Sequence, residues 1–194
     1  LSLCVVGNFL YVLGGEVEGG TPGDPNSDKI LLVTNKVHRY DPRFNTWTQI
    51  TGMLEKRCQF SCCVLNNNIF AIGGRGENGC LHSFLGLYEP FSEIERYDPD
   101  QNQWTRLRPL IYDRFCYGLV VVEETALLIG GKKWQDSREV PSQDVVGYDI
   151  DNDSWEEICK APLPWCGLQC AVLQLSEMAE EQGSDTLQKK LPNC

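Results

Sequence analysis

The chain has 194 residues, a net charge of −10 and a pI near 4.7, so nucleic acid and anionic membrane are excluded as partners of its surface as a whole. No stretch approaches the ~18 apolar residues of a membrane span, and the 10 cysteines, of which Cys4, Cys62, Cys63 and Cys170 lie inside apolar strands, read as reduced thiols. The location this implies is cytoplasmic, with the nucleus as a second compartment.

The first elements are two short apolar runs, Leu3–Val6 and Phe9–Leu13, joined at Gly7-Asn8. Their β-branched and aromatic content, and the tight turn between them, predict a hairpin. Gly14-Gly15 ends it, and a loop over residues 16–36, rich in Gly, Pro and Asp, follows. Tyr40-Asp41 lies in a third strand, Asp41–Asn45 turns the chain, and Trp47–Ile50 is a fourth strand. The same order then repeats. Cys62–Leu65 and Ile69–Ile72 flank Asn66–Asn68 and stop at Gly73-Gly74; the loop 75–93, Tyr97-Asp98 and Trp104–Leu107 follow. In the third unit, Leu119–Val122 and Ala126–Ile129 stop at Gly130-Gly131, with a loop over 132–144, then Tyr148-Asp149 and Trp155–Ile158. A lone strand, Leu168–Leu175, comes last, and the polar, mixed-charge tail 176–194 is expected to be disordered.

Tyr and Trp are 7 residues apart in all three units, and 26 residues separate Trp47 from Gly73 and Trp104 from Gly130. A repeat with this content calls for four-stranded antiparallel units arranged radially, an all-β propeller. No helical period follows any Gly pair, which argues against a phosphate cradle and for close packing. The Tyr and Trp residues are expected between blades, where a buried Trp hides about 150–250 Å² and contributes roughly 4–6 kcal/mol of gross burial.

The pattern Gly-Gly, Tyr-Asp-Pro, Asn-x-Trp resembles the kelch repeat, in the form found in kelch-like (BTB–kelch) proteins. Val37-His38-Arg39-Tyr40-Asp41-Pro42 and Ile94-Glu95-Arg96-Tyr97-Asp98-Pro99 carry it, while Ile150 replaces the proline in the third unit. The resemblance implies blades at about 1–50, 57–107 and 114–158 and a closing strand at 168–175: half of a six-bladed ring. It implies further a BTB domain and a helical linker domain outside these residues. The BTB domain would bind a cullin and form a homodimer.

Metal and enzymatic readings find little support. Cys58-x3-Cys62 and Cys166-x3-Cys170 reach the outer zinc-ligand spacing, but these residues are better read as strand packing. With only His38 and His82, no Ser/His/Asp or Cys/His set stands out, so no enzyme activity, cofactor or metal is expected. What remains is a protein-binding face made by the second-to-third loops and the loops leading into each first strand. Arg57 and Arg114 each stand ten residues after a repeat Trp, and Trp165 takes that place in the third unit. The position resembles the one lining the substrate pocket of kelch-like propellers, where Arg holds a peptide carboxylate. An equal alternative makes each Arg an ion-pair partner of a loop carboxylate. Tyr112, Phe115, Tyr117, Phe60, Arg75, Lys132, Lys133 and Trp134 are neighbouring candidates. Two functions stay open: a substrate receptor of a cullin-RING ubiquitin ligase, and a cytoskeletal (actin-binding) or scaffold protein.

Overall fold

Each repeat folds into one four-stranded antiparallel sheet in the computed structural model, which describes residues 1–19, 30–76, 89–111, 113–123, 125–136, 138–149 and 151–172. The first sheet holds β1 (Ser2–Val6), β2 (Phe9–Gly19), β3 (Ile30–Asp41) and β4 (Thr46–Ile50) in that order. The second holds β5 (Ser61–Leu65), β6 (Asn68–Ile72), β9 (Ile94–Asp98) and β10 (Gln103–Arg106). The third holds β11 (Gly118–Val122), β12 (Thr125–Ile129), β15 (Asp144–Asp149) and β16 (Ser154–Lys160). The first strands β1, β5 and β11 are neighbours, which sets the three sheets around a common side as blades. Among the described residues there is no helix, and none long and apolar enough to cross a membrane.

The hairpin turns carry the backbone that their residues allow. Gly7, Asn66, Asn67 and Glu123 all adopt positive φ, between 47° and 63°, where Gly and Asn are least strained.

The seven-residue step from Tyr to Trp is a register. Tyr40 faces Trp47 across the ladder, Tyr97 faces Trp104 and Tyr148 faces Trp155, with ring centroids 5.0, 5.1 and 4.5 Å apart. Each Tyr hydroxyl donates to the turn residue five positions on: Asn45 Oδ1 at 3.1 Å, Asn102 Oδ1 at 2.8 Å and Asp153 Oδ1 at 2.5 Å. The Asp after each Tyr caps the same turn, as when Asp149 Oδ1 accepts the amides of Asp151 and Asn152, each at 3.0 Å. Tyr-Asp, an Asn or Asp five residues after the Tyr, and Trp are therefore one turn-and-pair device, copied three times.

The core lies between blades. Tyr11, Leu13 and Val37 of the first blade meet Ile69, Ala71, Tyr97 and Trp104 of the second. Because side chains alternate along a strand, Phe70, Ile72 and Ile94 face the other way, onto Ala126, Leu128 and Tyr148 of the third. Trp104 spans the first joint, and its indole donates to Thr51 O at 2.9 Å. Trp47 departs from the expected burial. It is 55% exposed, because its ring and that of Tyr40 lie on the side of the first blade turned away from the second.

Three segments differ from the sequence reading. Residues 16–19 and 30–36 extend β2 and β3 into a longer ladder, with Glu16 opposite Val33 and Glu18 opposite Leu31, and residues 20–29 lie outside the described set. Residues 132–144 include the hairpin of β13 (Lys132–Gln135) with β14 (Arg138–Pro141), and residues 75–93 pair β7 (Arg75–Gly76) with β8 (Glu89–Pro90). The strand expected at Leu168–Leu175 is not formed over 168–172. A strand needs a ladder partner, and Leu168 and Cys170 instead pack their side chains close to Gly118 of β11. Residues 173–175 and the 176–194 tail lie outside the described residues.

Candidate functional site

The face where the blades begin is built around the Gly pairs. Gly15 N donates to Arg57 O at 2.8 Å, Gly74 N to Arg114 O at 2.8 Å and Gly131 N to Trp165 O at 2.7 Å. Each glycine pair of one blade thus binds the lead-in loop of the next sheet or segment. Both glycines have positive φ, 49–64° for the first and 84–105° for the second. A Cβ on Gly14, Gly73 or Gly130 would sit 2.7, 2.8 or 2.5 Å from the same three carbonyl oxygens. Conformation and close approach both demand glycine here. These bonds also establish that Arg57, Arg114 and Trp165 are equivalent positions.

Arg57 and Arg114, the candidates for holding a peptide carboxylate, are buried. They are 0% and 1% exposed, and their guanidiniums are consumed inside the protein. Arg57 Nη1 donates to Gly73 O at 2.9 Å and Glu93 O at 3.1 Å, and Nη2 donates to Glu95 Oε1 at 2.5 Å. Glu95, equally buried, also accepts the amides of Leu54 and Glu55. Arg114 repeats the motif with Gly130 O at 3.2 Å, Asp144 O at 3.0 Å and Asp144 Oδ2 at 3.1 Å. Each Arg is an ion-pair partner, but of a carboxylate on the third strand of its own blade and not of the loop carboxylate expected, and so ties a lead-in loop to that strand. Burial works against the ionised Asp144, yet hydrogen bonds from Ser142 and Lys160 and the charges of Arg114 and Lys133 outweigh it and hold the carboxyl below its usual range.

Phe115, Phe60 and Tyr117 are also removed from the surface. Phe115 is 1% exposed and lies beneath the Arg75 guanidinium, 4.7 Å from its ring centroid. Tyr117 is buried with its hydroxyl donating to Ile72 O, and burial pushes that phenol up. Tyr112 lies outside the described residues.

The structure does bring Arg75, Lys132, Lys133, Trp134 and Trp165 to one face. Isolated bridges pair Cys58 with Arg75 and Phe115 with Lys132, so the residues after the Gly pairs lie against the lead-in loops. Glu139 of β14 joins the set, accepting Arg75 at 3.0 Å and Lys132 at 2.9 Å. Its hydrogen bond raises the Lys132 ammonium above the usual range. Trp134 faces Glu139 across the β13–β14 ladder, Trp165 is tied to the chain just before Lys132 by its carbonyl, and the two residues stand 46% and 40% exposed. The accessible ledge is thus two indoles and a Lys–Glu–Arg triad crossing the second and third blades. Sequence spacing pointed to the cations and indoles; Glu139 carried no signal, since its reach depends on the hairpin at 132–141.

The described cysteines, Cys4, Cys58, Cys62, Cys63, Cys116, Cys159, Cys166 and Cys170, are free. Among the described residues no three His, Cys, Asp or Glu side chains gather as a metal site.

The sequence model of the kelch motif matches residues 1–54 and 56–111, the first two blades. Human kelch-like protein 34 is 40% identical over 93% of this chain, and the match covers 42% of that protein. Rat kelch-like protein 36 is 30% identical over 80% of the chain, covering 22% of its own length. The chain therefore spans less than half of these curated relatives. A solved structure titled "Structure of YjhT" superposes with a TM-score of 0.67 at 18% identity, covering 84% of this chain and 52% of that one, and shares the fold.

Proposed function

The chain belongs to the kelch-like family of kelch-repeat proteins, and from that premise we propose that its ledge of Trp134, Trp165, Lys132 and Arg75 captures a segment of a partner protein for a cullin-RING ubiquitin ligase. The observation that carries the capture role is the presence of two exposed indoles and the Arg75–Glu139–Lys132 ion-pair set on segments whose backbone is fixed by the Gly-pair bonds. Aromatic side chains beside Arg and Lys are the usual anchors of protein recognition, and the Lys–Glu–Arg triad would favour a segment mixing acidic and apolar residues. In this reading the propeller performs no chemistry. It raises the local concentration of the captured protein near the conjugating enzyme, while a BTB domain elsewhere in the whole protein engages the cullin and a second copy. The work takes place in the cytoplasm, where thiols stay reduced.

The test uses the full-length protein. Trp134→Ala with Trp165→Ala should lose captured proteins by about tenfold or more, as expected for truncated aromatic anchors, with an unchanged melting temperature. Cullin recovery in the same precipitates should not change. If wild-type protein recovers no cullin, the ligase reading fails and the scaffold or actin-binding reading takes its place. If captured proteins survive the double substitution, the ledge is not the capture surface.

A further inference from the structure

Cys4 and Cys62 lie on the innermost strands of the first and second blades, β1 and β5, and both pack on the cluster between those blades. The two strands pack against each other, and Ser2, two residues before Cys4, shares its face of β1. From there its hydroxyl donates to Cys62 Sγ at 3.1 Å and accepts from the Cys62 amide at 2.9 Å. Cys62 and Ser2 also line a cavity of about 430 Å³ where β1, β5 and β11 converge, shared with Ser61, Gln169 and Cys170. Peptide capture on the outer ledge needs no thiol here, and packing alone does not call for two sulfurs with a hydroxyl aimed at one of them.

We propose that Cys62 and Cys4 are an oxidisable pair, Cys62 attacking a hydroperoxide admitted by the cavity and Cys4 closing a disulfide between the first two blades. In the first step Cys62 sulfur attacks one peroxide oxygen and the O–O bond breaks. The sulfur is oxidised to a sulfenic acid, and the peroxide is reduced to an alcohol, or water, which takes the proton lost by the thiol. In the second step Cys4 sulfur attacks Cys62 sulfur, the S–O bond breaks, and hydroxide leaves with the Cys4 proton as water. Two thiols and one hydroperoxide yield a disulfide, an alcohol and a water.

The roles follow from the surroundings. The hydrogen bond from Cys4 draws the Cys62 thiol below its ordinary range against the opposing effect of burial, and Ser2 assists. The same hydrogen bond, then burial, pushes Cys4 well up, which suits a thiol that waits for an activated sulfur. Cys63, next in sequence, points to the opposite side of the strand into the second cluster, and burial raises it.

The test treats the full chain with graded hydrogen peroxide, blocks remaining thiols with iodoacetamide, digests without reductant and maps the peptides by mass spectrometry. The expected product is a dithiothreitol-sensitive link between the Cys4 and Cys62 peptides. It should form at about one-tenth of the peroxide dose that oxidises the exposed Cys159, since thiolate character governs the rate. In Cys4→Ser the sulfenic acid on Cys62 should persist and be trapped by dimedone; in Cys62→Ser, Cys4 should stay reduced at that dose. First oxidation at Cys159 or Cys166, or oxidised Cys62 that never links to Cys4, overturns the proposal. The wild-type map decides this even if a variant folds poorly.

Discussion

Removing the Glu95 carboxylate tests whether the Arg at the repeat position is a structural ion. Arg57 and Glu95 are both 0% exposed, and Glu95 also accepts the amides of Leu54 and Glu55. Arg57 already carries one buried nitrogen, Nε, with no partner. Glu95→Ala therefore strands a buried cation that still holds only backbone carbonyls, and it uncaps two amides. Breaking one side of a buried pair costs about 3–5 kcal/mol, which for a chain of this size corresponds to roughly 6–20 °C in melting temperature. Urea unfolding of wild type, Glu95→Ala, Arg57→Met and the double Arg57→Met/Glu95→Ala gives the cycle. The double variant should be less destabilised than the sum of the singles by at least about 1 kcal/mol, because it removes both charges and leaves neither buried alone. A loss below about 1 kcal/mol for Glu95→Ala, or strictly additive effects, would refute the argument. Arg57→Ala with Arg114→Ala should likewise lower the melting temperature, since both guanidiniums are buried in ion pairs.

Gly130→Ala should cost at least about 2 kcal/mol in chemical unfolding, since it combines a positive φ with a methyl 2.5 Å from Trp165 O. Gly7→Ala, at a similar φ but with nothing within 4 Å, should lose less, and equal losses would show that the contact with Trp165 is unimportant. Tyr117→Phe should lower stability by about 1–2 kcal/mol by leaving Ile72 O without its donor; an unchanged urea midpoint would contradict that. Because its folded carboxyl titrates lower than its unfolded one, Asp144 contributes stability that is present above its ordinary pKa of 3.8 and lost as pH falls below it. Asp144→Asn should therefore show a shallower loss of stability than wild type in acid titrations below that value, while a wild-type slope in the variant would exclude the assignment.

The blades were legible because their signals are local. Short apolar runs end at glycine, Asn and Gly supply the turns, and a fixed Tyr-to-Trp step encodes one register three times. The fate of Arg57 and Arg114 was not local. It depends on carboxylates 38 and 30 residues away, whose placement beside the Gly pairs exists only after the third strand has docked. The same holds for Glu139 on the ledge, which reaches Arg75 because β13 and β14 fold back on each other. Trp47 shows the reverse limit: its motif predicts burial, but burial belongs to a neighbouring sheet and not to the motif.

The Gly-pair bond runs from main chain to main chain, so it is indifferent to the side chain that follows. Arg, Arg and Trp occupy the accepting position in turn, and the attachment has the same length within 0.1 Å. Assembly of successive modules is thereby decoupled from the chemistry displayed at their seam. A lineage can exchange a cation for an indole at that seat, as the third unit has done, and acquire a new surface without renegotiating how one module grips the next.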